Sequence, residues 1–300
     1  MNYRHHYHAG NFADVVKHAL LCRLLRALQK KEKGFLYLDT HAGRGRYDLE
    51  VAARGDTHAR EPEWPAGIGR LWQLPPGDLP ALVADYVQLV REHDRFEGNA
   101  TPEPRFYPGS PWFARQLARP VDRLALVERQ PAECAGLRTE FGSGPRTSVQ
   151  ESDGYTAIRA MLPPPERRAL VLIDPPFEAQ DEFAQIADGL SAGLRRFPEG
   201  VYAVWYPLTL RARVDAFLDA VRTMCDRPAL AIELAIAGPA SDLKMKGCGL
   251  LVLNPPWQFD TEVRAALEFL ARVLAQSPGG GARIEWIVRE RPRAQAQSGG

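Results

Sequence analysis

An aspartate, two prolines and an aromatic ring in succession, Asp174-Pro175-Pro176-Phe177, follow the apolar run Ala169-Leu170-Val171-Leu172-Ile173. A short apolar run rich in branched side chains and closed by an X-Pro step reads as a buried strand, with the tetrapeptide at its carboxyl end. Each residue type has a chemical use there. An exocyclic amino group on a planar ring is a poor nucleophile, because its lone pair is delocalised until acceptors hold its N–H groups. The Asp174 carboxylate and the Pro175 carbonyl are two such acceptors. The prolines lack N–H groups and have a fixed φ, so they stiffen the turn and leave its carbonyls free to face a substrate. Phe177 offers a ring for stacking. Together these residues point to methyl transfer onto a planar amine, provided a cofactor site lies elsewhere; alone, Asp-Pro-Pro after a strand is also an ordinary turn.

A second strand-like run, Phe35-Leu36-Tyr37-Leu38, leads into Asp39-Thr40-His41-Ala42-Gly43-Arg44-Gly45. Glycines after a strand let the backbone approach a ligand at the switch point of an α/β sheet. The dinucleotide fingerprint G-x-G-x-x-G is not met, because only Gly43 and Gly45 are present and His41 takes the first glycine's place, which argues against an oxidoreductase. The loop resembles the acid-x-G-x-G-x-G loop of S-adenosylmethionine enzymes with one glycine replaced.

Order along the chain strengthens that reading. Arg123-Leu124-Ala125-Leu126-Val127 ends in Glu128, and Thr147-Ser148-Val149-Gln150-Glu151-Ser152 leads to Asp153-Gly154, ahead of the Asp174 strand. In a doubly wound sheet these carboxyl ends line one crevice. Glu128 stands where a ribose-diol acceptor is expected, and Asp153 with the Gly154 backbone where an adenine amino group is read. Either acid taken singly also fits a helix N-cap or a solvated position. A second copy of the motif, Asn254-Pro255-Pro256-Trp257, follows Gly249-Leu250-Leu251-Val252-Leu253. Strand order places Asp174 next to the first strand and Asn254 near the sheet edge, so Asn254 to Trp257 reads as a structural turn.

The 300 residues, 45 % of them hydrophobic, suit one α/β catalytic domain with an insertion. Cys22, Cys134, Cys225 and Cys248 are scattered without a C-x-x-C pair, so they read as small apolar fillers in a reducing compartment, with neither a zinc site nor a disulfide framework indicated. No apolar stretch approaches the ~20 residues that span a bilayer, and a cytoplasmic location is expected. A net charge of +1 gives no general nucleic-acid signal. The N-terminal end, however, carries Arg4, Lys17, Arg23, Arg26, Lys30, Lys31 and Lys33 with His5, His6, His8 and His18 against only Asp14 and Glu32, a distribution suited to steering a polyanion.

Asn11 fits an N-cap with Asp14 three residues on, and Val15, Val16, Ala19, Leu20, Leu24 and Leu28 make a helical stripe. Between Tyr47 and Arg105 the periodicity changes, giving an inserted helical subdomain over 47–105 within a methyltransferase domain of 1–46 and 106–288. Its clearest helix begins after Asp78 and Pro80 and carries Leu82, Val83, Tyr86, Val87 and Val90. The Ser110-Pro111 step reads as an N-cap with Pro at N1, its free N–H groups favouring an anionic ligand. A helix over Thr261 to Ala275, the turn-rich stretch Ser277 to Gly281, a strand over Arg283 to Val288 and a disordered tail over 289–300 complete the expected order.

With these residues in view, the chain closely resembles the bacterial large-subunit (23S) ribosomal RNA adenine-N6 methyltransferases of the J type. The resemblance rests on Tyr3-Arg4-His5, His8-Ala9-Gly10-Asn11, Ala13-Asp14 and Lys17-His18; on Asp39 to Gly43 with Gly45-Arg46-Tyr47; and on Pro108 to Pro111, Asp174-Pro175-Pro176 and Trp205-Tyr206-Pro207. It implies a class I, Rossmann-like S-adenosylmethionine-dependent fold with a seven-stranded, mostly parallel sheet. It further implies methylation of one adenine of protein-free RNA by a monomer without metal. It assigns cofactor contacts to His18, His41, Ser110, Glu128, Asp153, Gly154 and Asp174, catalysis to Asp174, and RNA-side roles to Tyr3, His5 and Lys17, with Pro175 and Phe177 beside the adenine. Family members often carry Tyr where this chain has Phe177, which keeps the stacking face and loses the hydroxyl. The expected mechanism extrudes the adenine, stacks it on Phe177 and holds its amine with Asp174 and the Pro175 carbonyl. A DNA adenine-N6 methyltransferase would use the same Asp-Pro-Pro chemistry and is the alternative.

Overall fold

The computed structural model describes residues 7–53, 61–142 and 144–289. Tyr3, Arg4 and His5 of the N-terminal block, and the tail from 290 onward, lie outside them. The helices are α1 Phe12–Gln29, α2 Leu49–Ala53, α3 Ile68–Trp72, α4 Ala81–Phe96, α5 Ser110–Leu117, α6 Pro131–Phe141, α7 Gly154–Met161, α8 Glu182–Arg196, α9 Arg211–Met224 and α10 Phe259–Val273. The strands are β1 Leu36–Asp39, β2 Arg46–Asp48, β3 Phe106–Pro108, β4 Arg123–Glu128, β5 Thr147–Glu151, β6 Ala169–Ile173, β7 Val201–Pro207, β8 Ala229–Ala235, β9 Gly247–Leu253 and β10 Gly281–Val288.

Eight strands form one sheet in the order β10-β8-β9-β7-β6-β1-β4-β5. From β7 to β5 every pairing is parallel, whereas β9 runs against both β7 and β8, and β10 runs against β8. The expected count of seven is therefore corrected to eight. Two strands of this sheet have no counterpart in the sequence reading: β7, of which only Trp205 to Pro207 stood out, and β8, Ala-Leu-Ala-Ile-Glu-Leu-Ala, whose Ala, Leu and Glu are strong helix formers. Pairing of β8 on both sides, to β9 and β10, overrides that preference.

Both faces of the sheet are covered, and its central strands alternate between them with period two. Tyr37, Leu124, Leu126, Leu170 and Leu172 join one buried cluster with α1, α4 and α10. Leu36, Leu38, Ala125, Val127, Val171 and Ile173 join the other with residues of α7, α8 and α9. The register places Asp39 level with Leu126 and Leu172, so Glu128 and Asp174 each stand two residues beyond it at the same end of the sheet.

Helix α1 begins as expected, with the Asn11 side chain accepting from the N–H groups of Ala13 and Asp14 at 2.9 Å. Its surroundings are more enclosed than a one-sided stripe requires. It packs on α4, α5, α10 and β9, and burial takes in Asp14, Lys17 and His18 along with the aliphatic residues. Three of the five basic residues beyond Lys17 are also engaged: Arg23 and Lys30 pair with Glu262 of α10, and Arg26 with Asp85 of α4. These partners lie far away in sequence, and they turn much of the expected polyanion-steering face into ties between helices.

The stretch after the glycine loop leaves and returns through a small antiparallel ribbon in which Tyr47 pairs with Tyr107. Asp94, at the end of α4, fastens the return by accepting from the N–H groups of Arg105 and Phe106 at 3.0 and 2.7 Å. Val83, Tyr86, Val87 and Val90 of α4 belong to the same cluster as the main sheet, so this helix shares the central core. All four cysteines are buried free thiols; burial pushes the Cys248 thiol up to about 12.

His93, on the buried face of α4, lies edge-on to Trp112 at 4.6 Å, and neither ring nitrogen has a hydrogen-bond partner. Burial, helped by the charges of Arg46 and Arg115, pushes its pKa down to about 3. The folded state thus holds this imidazole neutral while the unfolded chain takes up a proton near pH 6.5, so its contribution to stability is complete above that pH and is lost as pH falls. Relative to His93→Leu, the wild type is expected to lose about 2 kcal/mol between pH 7 and pH 5. Parallel denaturation curves for both proteins across that range check this; a constant difference would contradict it.

Candidate active site

Asp39 closes β1 fully buried, and its carboxylate collects the surrounding donors. The hydroxyls of Tyr37 and Ser110 both donate to its Oδ2 at 2.7 Å, and the His41 N–H to Oδ1 at 3.4 Å. Burial pushes its pKa up to about 6 against the pull of these hydroxyls, with Asp174 adding to the rise and Lys17 opposing it. The expected cap at Ser110 is corrected here. Gly109, at φ −80° and ψ 171°, takes the N-cap position, Ser110 and Pro111 open α5, and the Ser110 hydroxyl serves Asp39. Sequence reading saw Asp39 as the acid of the loop without assigning it a contact.

The glycine loop runs back over β4. Ala42 donates to the Val127 carbonyl at 2.9 Å, and Gly43, at φ +60°, donates to Glu128 Oε2 at 2.9 Å. Glu128 Oε1 accepts from the Gln130 N–H at 2.7 Å. Burial raises its pKa while those backbone donors lower it. The carboxylate thus fixes the loop and retains lone pairs for a further donor. Asp153 is the N-cap of α7, accepting from Thr156 at 2.8 Å, with its second oxygen 4.0 Å from exposed Arg129.

Gly154 has a steric reason: a Cβ there would come within 2.4 Å of the Thr40 carbonyl and 3.1 Å of the His41 ring. His41 is oriented by Thr40. The Thr40 hydroxyl gives its proton to the Leu172 carbonyl at 2.9 Å, so the contact of 2.8 Å with His41 Nδ1 has the ring as donor. Burial pushes this imidazole down to about 4, against the upward pull of Asp174 and Asp153. A neutral ring with Nδ1–H leaves Nε2 as an acceptor.

Lys17 projects from α1 to Asp174 across the crevice. Its ammonium lies 2.6 Å from Asp174 Oδ2 and 2.8 Å from Asp14 Oδ1, with Lys17 only 6 % exposed. This placement differs from an open basic face offered to RNA: the side chain is enclosed against the very carboxylate expected to do chemistry. Its neighbour His18 is turned the other way, Nδ1 meeting the Tyr107 hydroxyl at 2.8 Å and the ring packing on Phe113 at 4.9 Å. Tyr107 meets the Tyr86 hydroxyl at 2.8 Å, which carries the chain of contacts into α4.

Phe177 adopts φ +52° and is met edge-on by Phe183 at 5.1 Å and Trp205 at 5.7 Å. The second motif is elsewhere. Because β9 is antiparallel to β7, Asn254 emerges at the opposite end of the sheet, where its amide donates to the carbonyls of Pro198 and Gly200 at 2.8 and 2.7 Å. It is a structural turn. Asp39, His41, Glu128, Asp153, Gly154 and Asp174 therefore share one end of the sheet, joined by Lys17 and Ser110 from helices above it. Among the described residues, no group of His, Cys, Asp or Glu is arranged to hold a metal ion, and no helix is long and apolar enough to cross a membrane.

The family described as "Ribosomal RNA large subunit methyltransferase D, RlmJ" matches residues 32–288. The chain is 40 % identical over 291 residues to the ribosomal RNA large subunit methyltransferase J of Escherichia coli (strain K12), covering 97 % of this chain and 100 % of the relative. It is 38 % identical over 290 residues to the protein of the same name from Haemophilus influenzae, with 97 % and 100 % covered. A crystal structure of a Legionella pneumophila protein superposes with a TM-score of 0.83 at 36 % identity, covering 93 % of this chain and 98 % of that one.

The packing of Gly154 under Thr40 and His41 makes a specific demand. Gly154→Ala must displace backbone at the Thr40 carbonyl, and it is expected to weaken S-adenosylmethionine binding by about tenfold or more, with loss of about 1–3 kcal/mol of stability from overpacking. Calorimetric titration of the variant checks this, and unchanged affinity would contradict it.

Proposed function

The chain belongs to the ribosomal RNA large subunit methyltransferase J family, and from that premise we propose that its target is the N6 amino group of one adenine in protein-free large-subunit RNA. Membership carries the coarser statement: the protein is an S-adenosylmethionine-dependent enzyme that methylates ribosomal RNA. The observation that supports the finer reading is the placement of Asp174. Its carboxylate ends the strand beside β1, at the same end of the sheet as the glycine loop, and Lys17 engages one of its two oxygens.

The set of acceptors fits the cofactor. Glu128 keeps lone pairs for a ribose diol, Asp153 keeps one oxygen for an adenine amine, and the Nε2 of His41 accepts where the cofactor brings N–H groups. When bound, S-adenosylmethionine supplies a methyl group on positively charged sulfur. The protein's part is to present a nucleophile to it.

An adenine taken from the RNA stack costs a few kcal/mol, less in an already single-stranded loop. Phe177 offers such a base its ring, held by Phe183 and Trp205. With Lys17 on Oδ2, the other oxygen of Asp174 and the Pro175 carbonyl accept the two N6–H groups and bring the nitrogen lone pair out of conjugation. One of those protons then leaves to Asp174 or water. Tyr3 and His5 belong to the N-terminal block that precedes α1 and are assigned to the RNA side, where the buried Lys17 acts from within. The enzyme works as a monomer in this reading.

Labelled S-adenosylmethionine and protein-free large-subunit RNA lacking the modification should give label in N6-methyladenosine. Label in another nucleoside would exclude the adenine amine as acceptor, and equal turnover on duplex DNA would favour a DNA enzyme. Asp174→Asn should lower kcat at saturating cofactor and RNA by about 10²-fold or more; full turnover would remove the carboxylate from the mechanism.

A further inference from the structure

Asp14 lies one turn before Lys17 on α1, and both of its oxygens are engaged. Oδ1 is 2.8 Å from the Lys17 ammonium, and Oδ2 accepts the Gly10 N–H at 3.0 Å. Lys17 reaches on to Asp174 Oδ2 at 2.6 Å. Two carboxylates thus share one ammonium in an enclosed space, the side chains of Asp14, Lys17 and Asp174 being 5 %, 7 % and 16 % exposed.

An ammonium has three donors and swings freely on its four-carbon stem. Facing Asp174 alone, it could direct all its donors to that carboxylate and occupy both oxygens. A second carboxylate one turn away divides those donors and fixes the direction from which Lys17 approaches. It also leaves the cluster with one formal negative charge, which suits a group that must accept N–H bonds.

We infer that Asp14 is a positioning residue for methyl transfer: by holding Lys17 between two carboxylates, it aims Asp174 and leaves one Asp174 oxygen open to the substrate amine. The inference rests on the reading of Asp174 as the acceptor for that amine. Asp14 touches neither substrate nor cofactor in this role and acts through Lys17.

The groups around Lys17 give the role a pH signature. Besides Asp14 on its own helix and Asp174 at the end of β6, it feels Asp39 at the end of β1, Tyr86 of α4 and Cys248 of β9. Burial pulls its pKa down, but Asp14 and then Asp174 lift it well above the ordinary lysine range. Loss of the Asp14 charge removes one of these two supports, so the ammonium is lost at lower pH.

The test is a double-mutant cycle read by single-turnover rates, which stay measurable at low residual activity, across pH and with cofactor affinity from calorimetry. Asp14→Asn should slow methyl transfer at least about tenfold, move the alkaline limb of its pH profile to lower pH and leave cofactor affinity within about twofold. On a Lys17→Met background, the same substitution should add less than about twofold. A wild-type rate and profile in Asp14→Asn would overturn the inference. So would a loss that persists undiminished on Lys17→Met, since Asp14 would then be only a support for Gly10. Should Asp14→Asn alone fail to fold, Lys17→Met and the double variant, which carries no orphaned ammonium, still decide: equal rates uphold the inference and a further loss overturns it. Asp174→Asn is the control for the underlying reading. Full turnover there would sink the acceptor role itself, whatever Asp14 does.

Discussion

A lysine ammonium enclosed between two carboxylates joins the first helix of this protein to the end of its fourth parallel-sheet strand in chain order. Contacts at 2.6 and 2.8 Å in so buried a setting hold only if all three groups stay in place, since removing one partner of a buried ion pair costs about 3–5 kcal/mol. Much of the fold can be read as the means of keeping them there. Helix α1 has to be covered on several sides, which α4, α5, α10 and β9 accomplish. Its direction is set at one end by the Asn11 cap and further along by ion pairs from Arg23, Arg26 and Lys30 to α10 and α4.

The other side of the crevice is built from hydrogen bonds that hold one another. Asp39 gathers two hydroxyls, Glu128 grips the glycine loop, and Thr40 sets the His41 ring by sending its own proton to Leu172. Buried polar groups satisfied in this way are stiff, because any one that moved would strand its partner in a poorly solvating interior. A preorganised site of this kind suits the proposed reaction on an adenine amine. An amine conjugated to a ring gains nucleophilicity only if its acceptors already stand in the right direction when the methyl group is presented.

The local parts of this arrangement were legible in the sequence. The Asn11 cap, the α4 helix, the strand before Asp174 and the succession of acids at strand ends depend on residues within a few positions of each other. Asp39 was visible as the acid of the loop, but its two hydroxyl partners were not, because Ser110 looked like a cap and its partner lies 71 residues away. The engagement of Lys17 was hidden for the same reason, Asp174 being 157 residues off. Charge counting along the N-terminal end suggested an open basic face; three of those side chains instead find acids on distant helices. Strand β8 was masked by a helix-forming composition, and the true end of the second Asn-Pro-Pro motif was settled by the reversed direction of β9.

The proposed chemistry depends on where the adenine amine sits relative to a carboxylate already held by Lys17. A crystal structure with S-adenosylhomocysteine and a short RNA carrying the target adenine measures that directly. The adenine N6 is expected within about 3.2 Å of the second Asp174 oxygen and of the Pro175 carbonyl, with the Lys17 contact to Asp174 intact. An adenine seated elsewhere, or an Asp174 that has left Lys17 to reach it, would contradict the account.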